Sequence, residues 1–197
     1  LKAQAGGRWN DILAATVTCI RDTCVCVDIT GRPLRPAILW LDKREAHGMP
    51  RIPARAKAAF LAVGMYESVK LQRRASACNW IMVNEPDIWA KTHKYLMLST
   101  YLQYRLTGLY VDSCANLIAH IPYDSKSRRW MKMTDMRRFI FPIEPEKLYS
   151  IVEPGERIGG VTREAAAQTG ITENLDLIAS GSDKGCETLG LGCTNPD

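Results

Sequence analysis

The segment Ile12-Leu13-Ala14-Ala15-Thr16-Val17-Thr18-Cys19-Ile20 is apolar and β-branched, and predicts a buried strand over 12–20. Val25, Val27 and Ile29 then alternate, which predicts a half-exposed strand. Thr30-Gly31-Arg32-Pro33 carries turn chemistry, and Pro36-Ala37-Ile38-Leu39-Trp40 reads as the returning strand. From Arg44 to Trp89 the pattern turns helical, with breaks at Pro50, Pro53 and Gly64. Its clearest helix runs from Ala75 to Val83 and ends before Glu85-Pro86.

Lys94 to Leu98 predicts a short strand or extended segment. Ser99 is placed to cap a helix from Thr100 to Leu106, and Gly108 to stop it. Asp112 or Ser113 suits the cap of a further short turn, and Trp130 to Ile140 reads as a helix. Phe141-Pro142-Ile143-Glu144-Pro145 follows as a linker. The last third is the most regular. Thr162 caps a helix of 163–169 stopped by Gly170, and Leu175 to Ala179 forms a strand. Ser180-Gly181-Ser182-Asp183 turns into a helix beginning at Lys184. Strands interspersed with helices predict an α/β domain, and the early hairpin makes its sheet mixed.

Composition narrows the class. Of 197 residues, 46% are hydrophobic and 24% charged, which excludes a disordered or collagen-like chain. No apolar run reaches the roughly 18 residues that span a bilayer, and the first residues lack the apolar core of a secretory signal. No membrane association is expected. The net charge of +5 is too small and too scattered to indicate nucleic acid, though it favours anionic ligands. Seven cysteines form an odd set without a Cys-x-x-Cys pair, which argues against a disulfide framework or zinc ribbon. A reducing, cytoplasmic setting is the expectation. No metal ligand set is predicted: Cys19, Cys24 and Cys26 fit no common zinc spacing, and His47, His93 and His120 lie far apart.

The strand-turn-helix at Asp183 is the strongest chemical candidate, because open α/β sheets bind ligands beyond strand carboxyl ends. Gly181 allows close backbone approach, and the positive helix end stabilises a carboxylate placed there. Asp183 reads either as a helix cap or as a proton acceptor for a substrate hydroxyl. Arg21-Asp22, at the end of the first strand, offers donors and acceptors to a polyhydroxyl ligand, or forms a surface ion pair. Trp40 reads as core, or as an apolar wall for the carbon face of a sugar. No phosphate loop of the Gly-x-x-x-x-Gly-Lys-Ser/Thr type and no Gly-x-Gly-x-x-Gly fingerprint is present.

Five segments in order resemble the FGGY carbohydrate kinases, the family of glycerol kinase and xylulokinase. They are 36–44, with its Trp-x-Asp-x-Arg; Trp80 with Asn84-Glu85-Pro86; and Tyr101-Leu102-Gln103-Tyr104-Arg105-Leu106-Thr107-Gly108 with Asp112. The fourth runs from Glu153-Pro154-Gly155 to Thr169-Gly170, and the fifth is the Gly181-Ser182-Asp183 turn. The resemblance implies a ribonuclease-H-like, actin-like fold and ATP-dependent phosphorylation of a sugar or polyol, with Mg2+. It also implies that Asp183 is the general base and that Arg21, Asp22 and Trp40 bind the polyol. Asp22 stands for a longer Glu, Ser182 for a Gly, Lys184 for a Gln or Asn, and Ala77 for a Lys. Lys184 could contact phosphate or weaken the base.

The family's Asp-x-Gly-Thr phosphate hairpin and its second domain have no counterpart in these residues. The chain is therefore expected to be an internal part of the sugar-binding domain, inactive alone, with most ATP and Mg2+ ligands outside it. The partners implied are a small sugar or polyol and ATP; a homodimer stays open. A non-catalytic relative that binds a sugar as sensor or scaffold, and a purely structural α/β domain, are the rival readings.

Overall fold

The computed structural model describes residues 2–193. Helices, in chain order, are α1 (Lys2–Ala5), α2 (Ala54–Ala62), α3 (Tyr66–Ala75) and α4 (Ala77–Asn84). They continue with α5 (Pro86–Lys91), α6 (Leu98–Thr107), α7 (Arg163–Thr169) and α8 (Asp183–Gly190). Strands are β1 (Ala14–Thr16), β2 (Cys24–Val27), β3 (Lys94–Met97), β4 (Val111–Ser113) and β5 (Tyr123–Asp124). The remainder are β6 (Arg129–Trp130), β7 (Ser150–Val152), β8 (Arg157–Gly160) and β9 (Asp176–Ile178). The chain forms two compact units, one from the described parts of Leu1–Arg21, Met97–Ile118 and Tyr149–Asp197, the other from Asp22–Leu96 and Ala119–Leu148.

In the first unit β1 pairs with β9 in parallel, and β9 with β8 antiparallel, giving the expected mixed sheet. Ile158, Leu177 and Ala179 form its core, with Ala15, Val17, Leu106, Val111 and Val152 packed around them. Gly159 is required by crowding, because a Cβ there would lie 2.9 Å from Leu109 Cδ1. A parallel pair, β4 with β7, carries Asp112. That fully buried carboxylate accepts hydrogen bonds from Ser99 and Thr100 at 2.6 Å and from Gln103 and Asn116 at 2.8 Å. Ser99 is thus spent on Asp112 inside α6 rather than on the cap the sequence suggested, whereas Gly108 does end α6 in the left-handed region. Ser113 caps the turn after β4. Thr162 caps α7 and Gly170 stops it, as the sequence indicates.

The strand predicted over 12–20 is shorter and far less buried than expected: only 14–16 pair, and Leu13 is 87% exposed. β1 is the edge of its sheet, so only Ala15 and, just past the strand, Val17 reach the core.

In the second unit every residue of β2 is buried, where half-exposure was expected. β2 pairs with β3 on one side and is bridged on the other by Ile38 and Pro33. The returning segment touches only at those points, since Pro33 and Pro36 have no N–H to extend a ladder. α2 to α5 break near Pro53, Gly64, Ser76 and Pro86, and Ser76 caps α4. Buried Asn79 ties α4 to the carbonyls of Arg73 and Ile140 at 2.9 Å each.

No helix spans 130–140. β5 and β6 form a short antiparallel hairpin, and Asp135 caps a 3-10 turn at Met136–Phe139. Arg137 grips Asp124 and Asp135, while buried Arg138 donates to the carbonyls of Met131 and Ile143. These cations are held by specific acceptors, so their helical spacing has no amphipathic meaning. All seven cysteines are free, and among the described residues no helix is long and apolar enough to cross a membrane.

Candidate functional site

The turn that carries Asp183 is locked to the end of β1. Thr18 Oγ1 donates to the Gly181 carbonyl at 2.9 Å, and Ser180 Oγ donates to the Val17 carbonyl at 2.7 Å. The fold itself does not demand Gly181, because a Cβ would meet only Cys186 Sγ, at 3.9 Å. Ser182 has extended backbone and its hydroxyl accepts the Gly185 N–H at 3.4 Å, so Ser182 is the cap of α8. Asp183 is the first helical residue, and the capping alternative for it is overturned. Its Oδ1 accepts the Lys184 N–H at 2.8 Å and lies 3.7 Å from Arg21 Nε. The Asp183 side chain is 22% exposed, within reach of solvent but sheltered.

Lys184 Nζ pairs with Glu187 at 2.7 Å, and Glu187 raises the pKa of that ammonium. The Lys charge is committed along the helix rather than to Asp183. Cys19, half-buried, is a neighbour that sequence reasoning missed. Burial pushes its thiol pKa up, with the charges of Asp112 and Asp183 adding to the effect. The parallel pairing of β1 with β9 was the signal, since it brings residues following both strands together.

Arg21 and Asp22 do not pair with each other. Arg21 turns to Asp183, whereas Asp22 belongs to the second unit and binds His120. The Asp22 oxygens accept the His120 backbone N–H at 2.9 Å and meet the ring Nδ1 at 2.5 Å. Asp22 adopts φ 52°, an uncommon left-handed conformation for a residue with a side chain. Sequence reasoning set His120 aside as isolated, because the contact spans 98 positions.

Trp40, also in the second unit, is 57% exposed in a turn and is therefore not core. Its segment is clamped: Asp42 accepts three hydrogen bonds from Arg44, whose guanidinium lies 4.3 Å from the Trp80 ring centre. Arg35 approaches the same ring at 5.9 Å and donates to Glu85 at 2.6 Å. The motif's Asp and Arg thus hold the backbone that carries Trp40. Among the described residues no three His, Cys, Asp or Glu side chains could hold a metal ion together.

A mixed sheet ending in a strand-to-helix turn with a sheltered carboxylate makes this an α/β domain, the class that the ribonuclease-H-like, actin-like fold implied by the resemblance belongs to. The family model for the FGGY family of carbohydrate kinases, N-terminal domain, matches residues 2–190, and the chain belongs to that family. It is 26% identical to a xylulose kinase of Lactococcus lactis subsp. lactis, over 88% of this chain and 34% of that protein. It is 27% identical to an L-fuculokinase of Escherichia coli, over 84% of this chain and 34% of the relative. The xylulose kinase structure from Rhodospirillum rubrum superposes on the whole chain and on 40% of its own, with TM-score 0.74 at 23% identity, which establishes the shared fold. The chain spans about a third of the length of the curated relatives it matches.

Proposed function

We propose that the protein carrying this chain is an ATP-dependent carbohydrate kinase of the cytoplasm, with Asp183 as its general base. The observation that carries the reading is the division of labour at the turn: Ser182 caps α8, and Asp183 is left beside Arg21. Asp183 takes the proton of a substrate hydroxyl as that oxygen forms its bond to phosphorus, which suits a carboxylate held at hydrogen-bond reach. The nucleotide supplies the phosphoryl group and departs as the diphosphate. Arg21, Asp22 and Trp40 are assigned to the sugar or polyol by their places in the family's motifs, Trp40 offering an apolar face to the carbons.

The described residues contain no complete metal site. By resemblance to the family, magnesium and most nucleotide contacts are assigned to residues outside these 197, and the chain alone is expected to be inactive. This assignment makes the chain part of the sugar-binding domain, with the phosphate hairpin and second domain elsewhere.

Asp183→Asn in the full-length protein tests the reading. Turnover should fall by about 10²–10⁴-fold, the usual contribution of a positioned base, while sugar affinity stays largely intact. Xylulose is the first substrate to assay, since relatives bear that name. Near-normal rates would overturn the base assignment, and sugar binding without ADP release by the unaltered protein would indicate a sensor.

A further inference from the structure

His120 sits within the second unit as an imidazole with one nitrogen committed and the other free. Its Nδ1 lies 2.5 Å from Asp22 Oδ2, and its backbone N–H donates to Asp22 Oδ1 at 2.9 Å. Phe141 meets the ring edge-on with centres 5.6 Å apart, and Cys78 Sγ approaches the His120 carbonyl at 3.7 Å. Ring, backbone and carbonyl are therefore all fixed. The Asp22 backbone occupies the left-handed region at φ 52°, so an uncommon conformation is maintained where this contact is made.

A carboxylate only accepts, so Nδ1 must be the donor in this pair. In the neutral ring Nε2 then carries a lone pair, the arrangement by which a carboxylate fixes a histidine tautomer. Nε2 has no hydrogen-bond partner among the described residues, and the side chain is 33% exposed. A fixed, partly exposed acceptor suits a hydroxyl donor. Asp22 is placed differently, because both of its oxygens are already engaged by His120.

We infer that His120, oriented by Asp22, accepts a hydrogen bond from a hydroxyl of the carbohydrate through Nε2, and that Asp22 serves the ligand through this ring rather than by direct contact. The inference deepens the proposed kinase reading and rests on it for the identity of the ligand. His120 becomes a specificity-determining residue and Asp22 a positioning residue.

The test combines kinetics of full-length variants on xylulose and glycerol with ¹⁵N spectra of the histidine ring. His120→Asn keeps a donor near the place of Nδ1 but removes the acceptor; His120→Gln keeps an acceptor near the place of Nε2. Losing one hydrogen bond should raise KM for the sugar by roughly threefold to tenfold in His120→Asn, with kcat nearly unchanged. His120→Gln should recover part of that loss. Asp22→Ala should raise KM similarly, and the Asp22→Ala, His120→Asn double variant should be no worse than either single one. Where the ring is neutral, the Asp22 contact on Nδ1 leaves Nε2 as the acceptor, and its signal should move when sugar is added.

An unchanged KM in His120→Asn, additive losses in the double variant, or a ring signal indifferent to both sugars would each overturn the inference. If the unaltered protein phosphorylates neither compound, the kinase reading fails for them, and the ring signal alone then decides the role of His120.

Discussion

Arg21 Nε lies 3.7 Å from Asp183 Oδ1, inside ion-pair range but beyond hydrogen-bond reach. A pair this exposed contributes little to stability. The two groups are near enough to share one ligand hydroxyl, Arg21 donating to its oxygen and Asp183 accepting its proton. Arg21→Gln should therefore change unfolding stability by less than about 1 kcal/mol, as exposed pairs do. KM for the sugar should nevertheless rise roughly tenfold, the loss expected for one charge-assisted hydrogen bond. Denaturant unfolding read beside steady-state kinetics checks this, and a variant normal in both would reduce the pair to a surface contact.

The cap assignment makes an opposite pair of forecasts. Ser182→Ala should destabilise the protein by about 1 kcal/mol, because the Gly185 N–H loses its acceptor. Ser182→Gly should cost only a few tenths of a kcal/mol, since glycine is tolerated at caps. Both should retain turnover. Asp183→Asn should do the reverse, leaving urea midpoints near normal and removing activity. A larger stability loss at Asp183 than at Ser182 would restore Asp183 as the structural residue.

What was legible in the sequence was mostly local chemistry. Thr162 and Gly170 bound α7 because a hydroxyl acceptor and a left-handed residue act within one turn of their own helix. Ser182 and Asp183 are both favoured capping residues, and only the extended backbone of Ser182 separates their roles. β2 was misjudged because its alternation was read from Val25, Val27 and Ile29. Cys24 and Cys26, at the alternate positions of the strand, are equally buried, free thiols acting as small hydrophobes. The segment 130–140 misled in another way, since Arg137 and Arg138 answer to acceptors that only the fold brings near. The candidate site was half visible. Asp183 and Trp40 lie in recognisable motifs, but the Arg21–Asp183 and Asp22–His120 pairings depend on chain segments far apart in sequence.

The clamp on the Trp40 segment should be measurable by backbone exchange. Arg44 both forks onto Asp42 and covers Trp80, and lysine can do neither with the same planar geometry. Losing a partly desolvated cation–π contact and a bidentate pair should raise local opening by about tenfold. Hydrogen exchange in Arg44→Lys should accordingly quicken in residues 39–44, while buried β2 remains protected. Sugar KM should rise with it if Trp40 forms the apolar wall. Unchanged exchange across 39–44 would show that the segment is fixed by other contacts.

Two buried thiols set an alkaline limit on the fold. Burial, with Cys24 adding to it, pushes the Cys26 thiol up to about 12, and burial alone is the leading cause that takes Cys78 to about 12. In the unfolded chain both return to the ordinary thiol range near 8.5. Below that range both states are protonated and the thiols' contribution to stability is fully present. Above it the unfolded chain releases protons that the folded state retains, so stability falls as pH rises toward 12, by up to about 1.4 kcal/mol per pH unit for each thiol. Urea midpoints should therefore decline from pH 8 to pH 10.5, and Cys26→Ala with Cys78→Ala should flatten the slope even if their cavities lower the starting value. Exposed Cys193 should alkylate in the folded protein at pH 8, whereas Cys26 and Cys78 should wait for unfolding. Rapid labelling of Cys78 in the native state would contradict this account, because a thiol enclosed on the buried face of α4 can react as thiolate only after the unit opens.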